Sequence, residues 1–289
     1  MKKKPTLIAE IGCNHKGDFS IAKEMIKKIK DFCNVKFVKF QKRDAKSLLT
    51  KKEFDAKHPN PENSFGATYG KHRKALEFNF KQHLQLKKFC DKNKMIYSSS
   101  VWDLKSAKEI TKIKPKFIKI GSATNLNFPI LKYISENFFG QIHISLGMTS
   151  IKEEEKIVNF FIKKKRNKSL VLYACTSAYP VPSKDVCLLE VERLVKNYSK
   201  DIFDIGFSGH HRGIAHDIAA YTLGANFIER HFTLDRTWKG TDHAASLEPD
   251  GLRRLNRNLH EVYYSLNYKS KGILDIEKPT KKKLKKIIF

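Results

Sequence analysis

Short apolar runs alternate along this chain with longer segments in which apolar residues recur every three or four positions. Short runs that are rich in β-branched and aromatic residues and bounded by Gly or polar residues are typical of buried strands. We expect these strands to be buried, with helices between them. The sequence predicts eight such strands, at residues 7–12, 35–41, 95–98, 117–121, 142–145, 170–174, 202–207 and 227–231.

The segments between the predicted strands have the spacing of amphipathic helices. Ser20 and Asp103 stand where a short polar side chain can cap the first turn of a helix. Eight strand–helix units predict an α/β protein of the (β/α)₈ or TIM-barrel class. An open doubly wound sheet would usually have fewer strands and a Gly-rich first turn, and residues 12–17 lack that spacing. The predicted helices cover residues 21–29, 84–89, 104–110, 130–134, 157–161, 188–194, 214–221 and 252–262.

No linker rich in Gly, Ser or Pro divides the sequence. Residues 1–289 are therefore predicted to form a single barrel domain with a short C-terminal tail. The only long irregular segment follows the second strand, at about residues 43–69. A loop of that length in a compact domain is either disordered or functional, and we expect a lid over the active-site face.

Composition narrows the class of protein further. Hydrophobic residues make up 40% of the chain, but none of its apolar stretches reaches the roughly 18 residues of a membrane span. The N-terminus lacks the pattern of a signal peptide, so we expect a cytoplasmic protein without a membrane partner. The five cysteines are scattered and never spaced as C-x-x-C, which indicates neither a disulfide framework nor a zinc site.

The formal net charge of +27 suggests nucleic-acid binding at first sight. The lysines are spread over every segment, however, and no zinc finger or RNA-recognition signature accompanies them. We therefore expect a lysine-rich solvated surface and no nucleic-acid partner. A basic barrel that binds polyanions without catalysis remains the alternative from a different class.

The carboxyl ends of the predicted strands carry polar residues, and in barrels this end holds the active site. Lys39 and Lys119 alternate with aliphatic residues and are expected to point inward, where a buried ammonium group requires an anionic partner. Three explanations stay open: the lysines bind a phosphate or carboxylate, one forms the Schiff base of an aldolase, or they pair with Glu10 or Glu229.

Two histidines, His210 and His231, end neighbouring predicted strands, with Gln41 and Glu229 expected nearby. Nitrogen and oxygen ligands with open positions suit Mn²⁺, Mg²⁺, Co²⁺ or Zn²⁺, so the pair is a candidate metal site. Three further histidines are less informative, because each could lie at the rim of the site or on the surface. They are His15, His211 and His243.

Six ordered motifs between Leu7 and Asp250 resemble those of the N-acetylneuraminate (sialic acid) synthase family. They are residues 8–17 (IAEIGCNHKG), 38–41 (VKFQ), 118–122 (IKIGS), 175–180 (CTSAYP), 206–210 (GFSGH) and 228–233 (IERHFT). The resemblance implies a barrel that condenses phosphoenolpyruvate with an N-acetylated aldose such as N-acetylmannosamine, releasing phosphate. It also implies a divalent metal, usually Mn²⁺ with Mg²⁺ or Co²⁺ as alternatives, and it leaves a homodimer open.

The resemblance also implies roles for individual residues. The phosphoenolpyruvate anchors would be Lys39, Ser100, Lys119, Ser122, Ser177 and Ser208. The metal ligands would be His210 and His231, and the catalytic groups Glu10, Gln41, Glu229 and Asp242. The acceptor sugar would contact Glu10, Tyr179 and Asp242. Many members add a C-terminal antifreeze-like domain, and this sequence resembles a short form that lacks it.

Overall fold

The computed structural model describes residues 3–269 and 272–286. Over these ranges eight parallel strands pair in sequence order and close into a barrel, which confirms the predicted fold class. The strands are β1 (Thr6–Gly12), β2 (Phe37–Lys42), β3 (Ile96–Val101), β4 (Phe117–Ile120), β5 (Gln141–Ser145), β6 (Leu170–Cys175), β7 (Asp204–Gly209) and β8 (Phe227–His231).

A helix follows each strand and covers the outside of the barrel, as the helical spacing predicts. Asp103 caps its helix as expected. Ser20 does not, because Asp18 is the cap and accepts hydrogen bonds from the Ser20 and Ile21 amides. The helices are α1 (Phe19–Asp31), α2 (Ala45–Leu48), α3 (Lys51–Asp55), α4 (Tyr69–Leu76), α5 (Phe80–Lys92), α6 (Leu104–Ile113), α7 (Phe128–Asn137), α8 (Ile151–Lys163), α9 (Leu189–Tyr198), α10 (Ala215–Leu223), α11 (Pro249–Ser265) and α12 (Lys278–Leu284).

The barrel interior changes from apolar to charged along its axis. A small cluster of Ile8, Phe117, Val171, Tyr173 and Phe227 fills its lower part. The main apolar core lies between the strands and the surrounding helices. Because side chains alternate along a strand, the residue two positions beyond Ile8, and the one two positions beyond Phe117, face the same interior nearer the carboxyl ends. Those positions hold charged groups, which form the site described below.

The segment after β2 is only partly irregular, which corrects the expectation of one irregular loop over residues 43–69. It contains α2, α3 and a short 3-10 turn at Pro61–Asn63, and it leads into α4. Local caps hold these pieces: Thr50 and Glu53 form a capping box, and Asp44 caps α2. The segment also reaches the loop after β8, where Asn63 Oδ1 accepts a hydrogen bond of 2.9 Å from the Gly240 amide.

Beyond α11 the tail forms a 3-10 turn and the short helix α12. No helix in the described ranges is long and apolar enough to cross a membrane. The five cysteines are free thiols, with Cys33 and Cys90 buried in the core.

Candidate active site

A cavity of about 300 Å³ opens at the carboxyl end of the barrel. Twelve of the thirteen site residues named from the sequence line it. They are Glu10, Lys39, Gln41, Ser100, Lys119, Ser122, Ser177, Tyr179, Ser208, His210, Glu229 and His231. The thirteenth, Asp242, lies in the loop after β8, with its Oδ2 3.9 Å from His231 Nδ1. The fold therefore brings the candidate residues together, although their roles remain predictions.

Two lysines and two glutamates form an ion-pair cluster in this cavity. Lys39 Nζ lies 2.7 Å from Glu10 Oε2 and 3.7 Å from Glu229 Oε1. Lys119 Nζ lies 2.7 Å from the same Glu229 oxygen. The third explanation left open by the sequence, pairing with Glu10 or Glu229, is therefore present in the fold. It is compatible with anion binding, because each ammonium group has three N–H donors.

Serine hydroxyls complete the surroundings of both lysines. Lys39 Nζ donates to Ser100 Oγ at 2.6 Å, and Lys119 Nζ donates to Ser208 Oγ at 3.4 Å. Lys119 Nζ also lies 4.0 Å from the centre of the Tyr173 ring. Register places these groups side by side, because Ser100 pairs with Lys119 and Ser208 pairs with Glu229 along neighbouring strands.

The two glutamates experience opposite electrostatic effects. Burial raises the pKa of Glu229, but Lys119 and Lys39 outweigh burial and bring that pKa down to about 2. Burial raises the pKa of Glu10 to about 7, because Lys39 offsets only part of the desolvation. Burial also lowers the pKa of Lys119, against the opposing effect of Glu229. The cluster thus keeps Glu229 ionised, whereas the Glu10 carboxylate is protonated more readily.

The two histidine rings lie next to each other in the cavity lining. Their ring centres are 5.5 Å apart, and the Tyr179 ring lies 4.2 Å from that of His210. His210 Nδ1 is 2.9 Å from the Thr176 carbonyl oxygen, so this nitrogen carries the proton and Nε2 is the one with a free lone pair.

The two imidazoles fit a metal site at which the protein supplies only some of the ligands. His231 Nδ1 is buried and has no hydrogen-bond partner among the described residues. A carbonyl oxygen that fixes one ring nitrogen, as Thr176 does for His210, is the usual support of a metal-bound histidine. Within the described part of the chain, no group of three or more His, Cys, Asp or Glu side chains could hold a metal ion. A metal ion bound by these two imidazoles would therefore have its remaining coordination positions open to water or substrate.

Two further serine hydroxyls converge where β5 leaves the barrel. A Cβ atom placed on Gly147 would lie 2.2 Å from Ser177 Oγ and 2.7 Å from Ser122 Oγ. No side chain fits there, so the two hydroxyls share a space that only glycine leaves open. Sequence reasoning missed Gly147, since a lone glycine after a strand is indistinguishable from an ordinary turn residue.

Arg43 is a second residue that sequence reasoning missed. It is buried, and its Nη2 donates to Gln41 Oε1 while Gln41 Nε2 donates to Glu10 Oε1 at 2.9 Å. Its Nε lies 3.2 Å from Glu77 Oε1, just beyond α4. Arg43 therefore fixes the orientation of the Gln41 amide and ties the segment after β2 to the cavity.

The three less informative histidines are neither on the surface nor in the cavity lining. His15 stacks on Phe78 with ring centres 4.0 Å apart, and it is 2% exposed. His243 is buried, with its Nδ1 2.7 Å from Thr233 Oγ1. His211 is buried beside Asp217. Each satisfies a core or loop contact, so the alternative of a surface position is wrong for all three.

Comparison with known proteins supports this arrangement. The chain is 36% identical to N-acetylneuraminate-9-phosphate synthase of Homo sapiens over 98% of this chain and 77% of that protein. It is 35% identical to N,N'-diacetyllegionaminic acid synthase of Campylobacter jejuni, over 90% of this chain and 77% of that protein. The model of the NeuB family matches residues 25–271.

The chain belongs to the NeuB family. A crystal structure of N-acetylneuraminic acid synthetase from Leptospira borgpetersenii, in complex with citrate, superposes with a TM-score of 0.81 at 27% identity. The match covers 97% of this chain and 91% of that one. Membership of the NeuB family confirms the resemblance drawn from the six motifs, and those motifs supply most of the cavity lining.

Proposed function

We propose that this chain is a nonulosonic acid synthase that condenses phosphoenolpyruvate with an N-acetylated aldose and releases phosphate. The observation that carries the proposal is one cavity lined by two buried lysines, five serines and two adjacent imidazoles. Its NeuB relatives are named as synthases of sialic and legionaminic acids, which supports the same reaction class.

The lysines and serines are proposed to hold phosphoenolpyruvate. Lys39 and Lys119 would donate to its carboxylate and phosphate, and the hydroxyls of Ser122 and Ser177 would donate to phosphoryl oxygens near Gly147. Ammonium and hydroxyl donors in a largely desolvated cavity form short, strong hydrogen bonds to anions. Ser100 and Ser208 already contact the lysines, so they would keep each Nζ aimed into the cavity.

The imidazoles of His210 and His231 are proposed to hold a divalent cation, most simply Mn²⁺. Such an ion would supply Lewis-acid polarisation of the acceptor aldehyde. The protein's own part is to fix the rings: the Thr176 carbonyl oxygen sets the tautomer of His210, and Tyr179 packs against that ring. Their position next to the lysine cluster would put the acceptor carbon beside the nucleophilic C3 of phosphoenolpyruvate.

The remaining steps need only proton movement and charge stabilisation. After C3 of phosphoenolpyruvate bonds to the aldehyde carbon, water adds at C2, and the tetrahedral intermediate releases inorganic phosphate. Glu10, Glu229 and Asp242 are proposed to move these protons and to contact the acceptor hydroxyls together with Tyr179. Gln41 accepts a hydrogen bond from Arg43 and donates one to Glu10, so it would orient the Glu10 carboxylate.

The alternative of a lysine Schiff base is disfavoured by the ion pairs. A nucleophilic lysine is neutral in apolar surroundings, whereas Lys39 and Lys119 each lie 2.7 Å from a carboxylate oxygen. We also propose that the protein acts in the cytoplasm as a homodimer, without a nucleic-acid or membrane partner. Light scattering coupled to size-exclusion chromatography tests the dimer.

The decisive experiment measures phosphate release from phosphoenolpyruvate with Mn²⁺ and a panel of aldoses, followed by the product mass. The panel contains N-acetylmannosamine, its 6-phosphate and two diacetamido hexoses, since the relatives named above differ in product. We expect stoichiometric phosphate and a product that contains all the carbons of both substrates. Phosphate release with none of the sugars, or a lysine adduct trapped by borohydride, would contradict the proposal.

A further inference from the structure

Arg230 lies in the motif at residues 228–233, which also supplies the candidate metal ligand His231. It precedes His231 at the end of β8, and side-chain alternation turns it away from the cavity that Glu229 and His231 line. The guanidinium group is fully buried between β8 and α10. Its partners all belong to the turn after β7 or to α10, although Arg230 itself is on β8.

The guanidinium group donates to two backbone carbonyl oxygens of the segment that follows His210, and it also contacts the side chains of His211 and Asp217. Its Nη2 donates to the His211 carbonyl oxygen at 2.6 Å, and its Nη1 donates to the Gly213 carbonyl oxygen at 2.8 Å. Asp217 on α10 accepts from Nη1 at 2.5 Å and lies 3.2 Å from His211 Nε2. One side chain of β8 thus holds two carbonyl oxygens of the neighbouring turn in place.

Close packing at the end of β7 leaves this turn little freedom. A Cβ atom on Gly209 would lie 2.7 Å from His211 Cε1, so the ring of His211 occupies the space that a side chain would need. The His211 ring is in turn held against Asp217 and Arg230. The peptide that joins His210 to His211 is therefore fixed from both sides.

We propose that Arg230 is a positioning residue that sets the distance and orientation between the imidazoles of His210 and His231. This inference rests on the proposed metal site. Arg230 does not touch the cavity, and it would act by joining the backbone beside one imidazole to the strand end that carries the other. Because a metal ion binds tightly only to ligands that are already placed, loosening the turn should weaken binding without removing a ligand.

Arginine suits this position for a geometric reason. The planar guanidinium group points several donors in fixed directions, which lets it serve two carbonyl oxygens and a carboxylate at once. Lysine keeps the charge, but its single ammonium group cannot reach all three acceptors in that arrangement. Arg230→Lys therefore keeps the positive charge but loses the arrangement of donors that serves all three acceptors, which makes it an informative variant.

The test compares Arg230→Lys with Arg193→Lys. Arg193 makes a bidentate pair with Glu154 at 2.9 and 2.7 Å between α9 and α8, so it is a control arginine outside the site, although its side chain is less buried than that of Arg230. Mn²⁺ affinity is measured by electron paramagnetic resonance. Hydrogen–deuterium exchange of residues 208–213 is measured in the metal-free proteins. Asp217→Asn, which keeps Arg230, serves as a second variant if Arg230→Lys does not fold.

We expect Arg230→Lys to weaken Mn²⁺ binding by roughly 10- to 100-fold, as loss of an outer-shell partner does elsewhere. Exchange at residues 208–213 should become faster, and Arg193→Lys should leave both quantities at their wild-type values. Folded Arg230→Lys or Asp217→Asn with wild-type exchange and affinity would overturn the inference. A wild-type protein that binds no Mn²⁺ would count against the metal site, while faster exchange in the variant would still support the positioning role.

Discussion

Lys119 on β4 and Glu229 on β8 meet inside the barrel, with Nζ 2.7 Å from Oε1. The two strands are not neighbours, since three others separate them on either side of the closed barrel. The pair therefore links opposite walls of the cavity, and Lys39 joins the same oxygen at 3.7 Å. Removing one partner would leave the other charge buried without its nearest counter-ion, so a single substitution should affect both the site and the stability of the fold.

Replacing Lys119 alone should affect both properties. Lys119→Met leaves Glu229 buried without its nearest cation, and we expect a loss of about 3–5 kcal/mol in the free energy of unfolding. The double variant Lys119→Met/Glu229→Leu should recover much of that stability but no activity. Urea unfolding and phosphoenolpyruvate saturation kinetics measure the two effects. A single variant with wild-type KM for phosphoenolpyruvate would argue against its role as an anchor.

The same pair predicts how stability depends on pH. The pKa of Glu229 in the folded protein is about 2, below the value of roughly 4.3 for an unfolded glutamate. The unfolded chain then binds the extra proton, so this contribution to stability is complete above about pH 5 and disappears as the pH falls toward 2. Urea unfolding over that range should show a smaller fall for Lys119→Met/Glu229→Leu. Equal slopes for both proteins would contradict the assigned ion pair.

Gly147→Ala tests the space shared by Ser122 and Ser177. The added methyl group would lie 2.2 Å from Ser177 Oγ, so that hydroxyl must move. We expect KM for phosphoenolpyruvate to rise by roughly tenfold, about 1.4 kcal/mol of lost binding, with the acceptor KM less affected. Gly251→Ala on α11 is the control, because its new Cβ would meet Leu247 only at 3.4 Å. An unchanged phosphoenolpyruvate KM in Gly147→Ala would place the phosphate elsewhere.

Removing either candidate metal ligand should abolish Mn²⁺ binding. For His210→Ala and His231→Ala we expect a loss larger than the roughly 10- to 100-fold typical of outer-shell changes, with the fold retained. His260→Ala, on α11 beside a separate cavity at the other end of the barrel, is the control. Mn²⁺ titration by paramagnetic resonance measures the loss. Full turnover of His210→Ala in the presence of a chelator would exclude the metal from the reaction.

The strands and long helices could be predicted because their periodicity extends over many residues. The boundaries of β8 agree at both ends. Those of β2 differ at both ends, because Val35 and Lys36 precede the first paired residue and Lys42 still pairs with Val101. The helices α2 and α3 could not be predicted by periodicity, since pieces of four or five residues carry no repeat. The capping box of Thr50 and Glu53 was the available signal, and it is a local one.

The candidate residues could be found from the sequence because the carboxyl ends of parallel strands meet at one face. Pairing of the lysines with Glu10 or Glu229 was one of three open explanations, but the sequence could not choose among them. Lys119 and Glu229 are distant in sequence, and register alone does not place their ends together. The role proposed for Arg230 could not be predicted from the sequence for a different reason. Its importance depends on α10 lying outside β8, and no periodic pattern indicates that Asp217 faces it.

The central claim is that one cavity holds phosphoenolpyruvate on its lysines and serines and a metal ion on its two imidazoles. The most direct measurement is a crystal structure of the protein with Mn²⁺ and phosphoenolpyruvate, with an anomalous-scattering map collected to locate manganese. We predict a manganese peak bonded to His210 and His231, with the phosphate within hydrogen-bond distance of Lys119 and Ser122. Manganese bound away from both rings, or phosphoenolpyruvate outside this cavity, would contradict the claim.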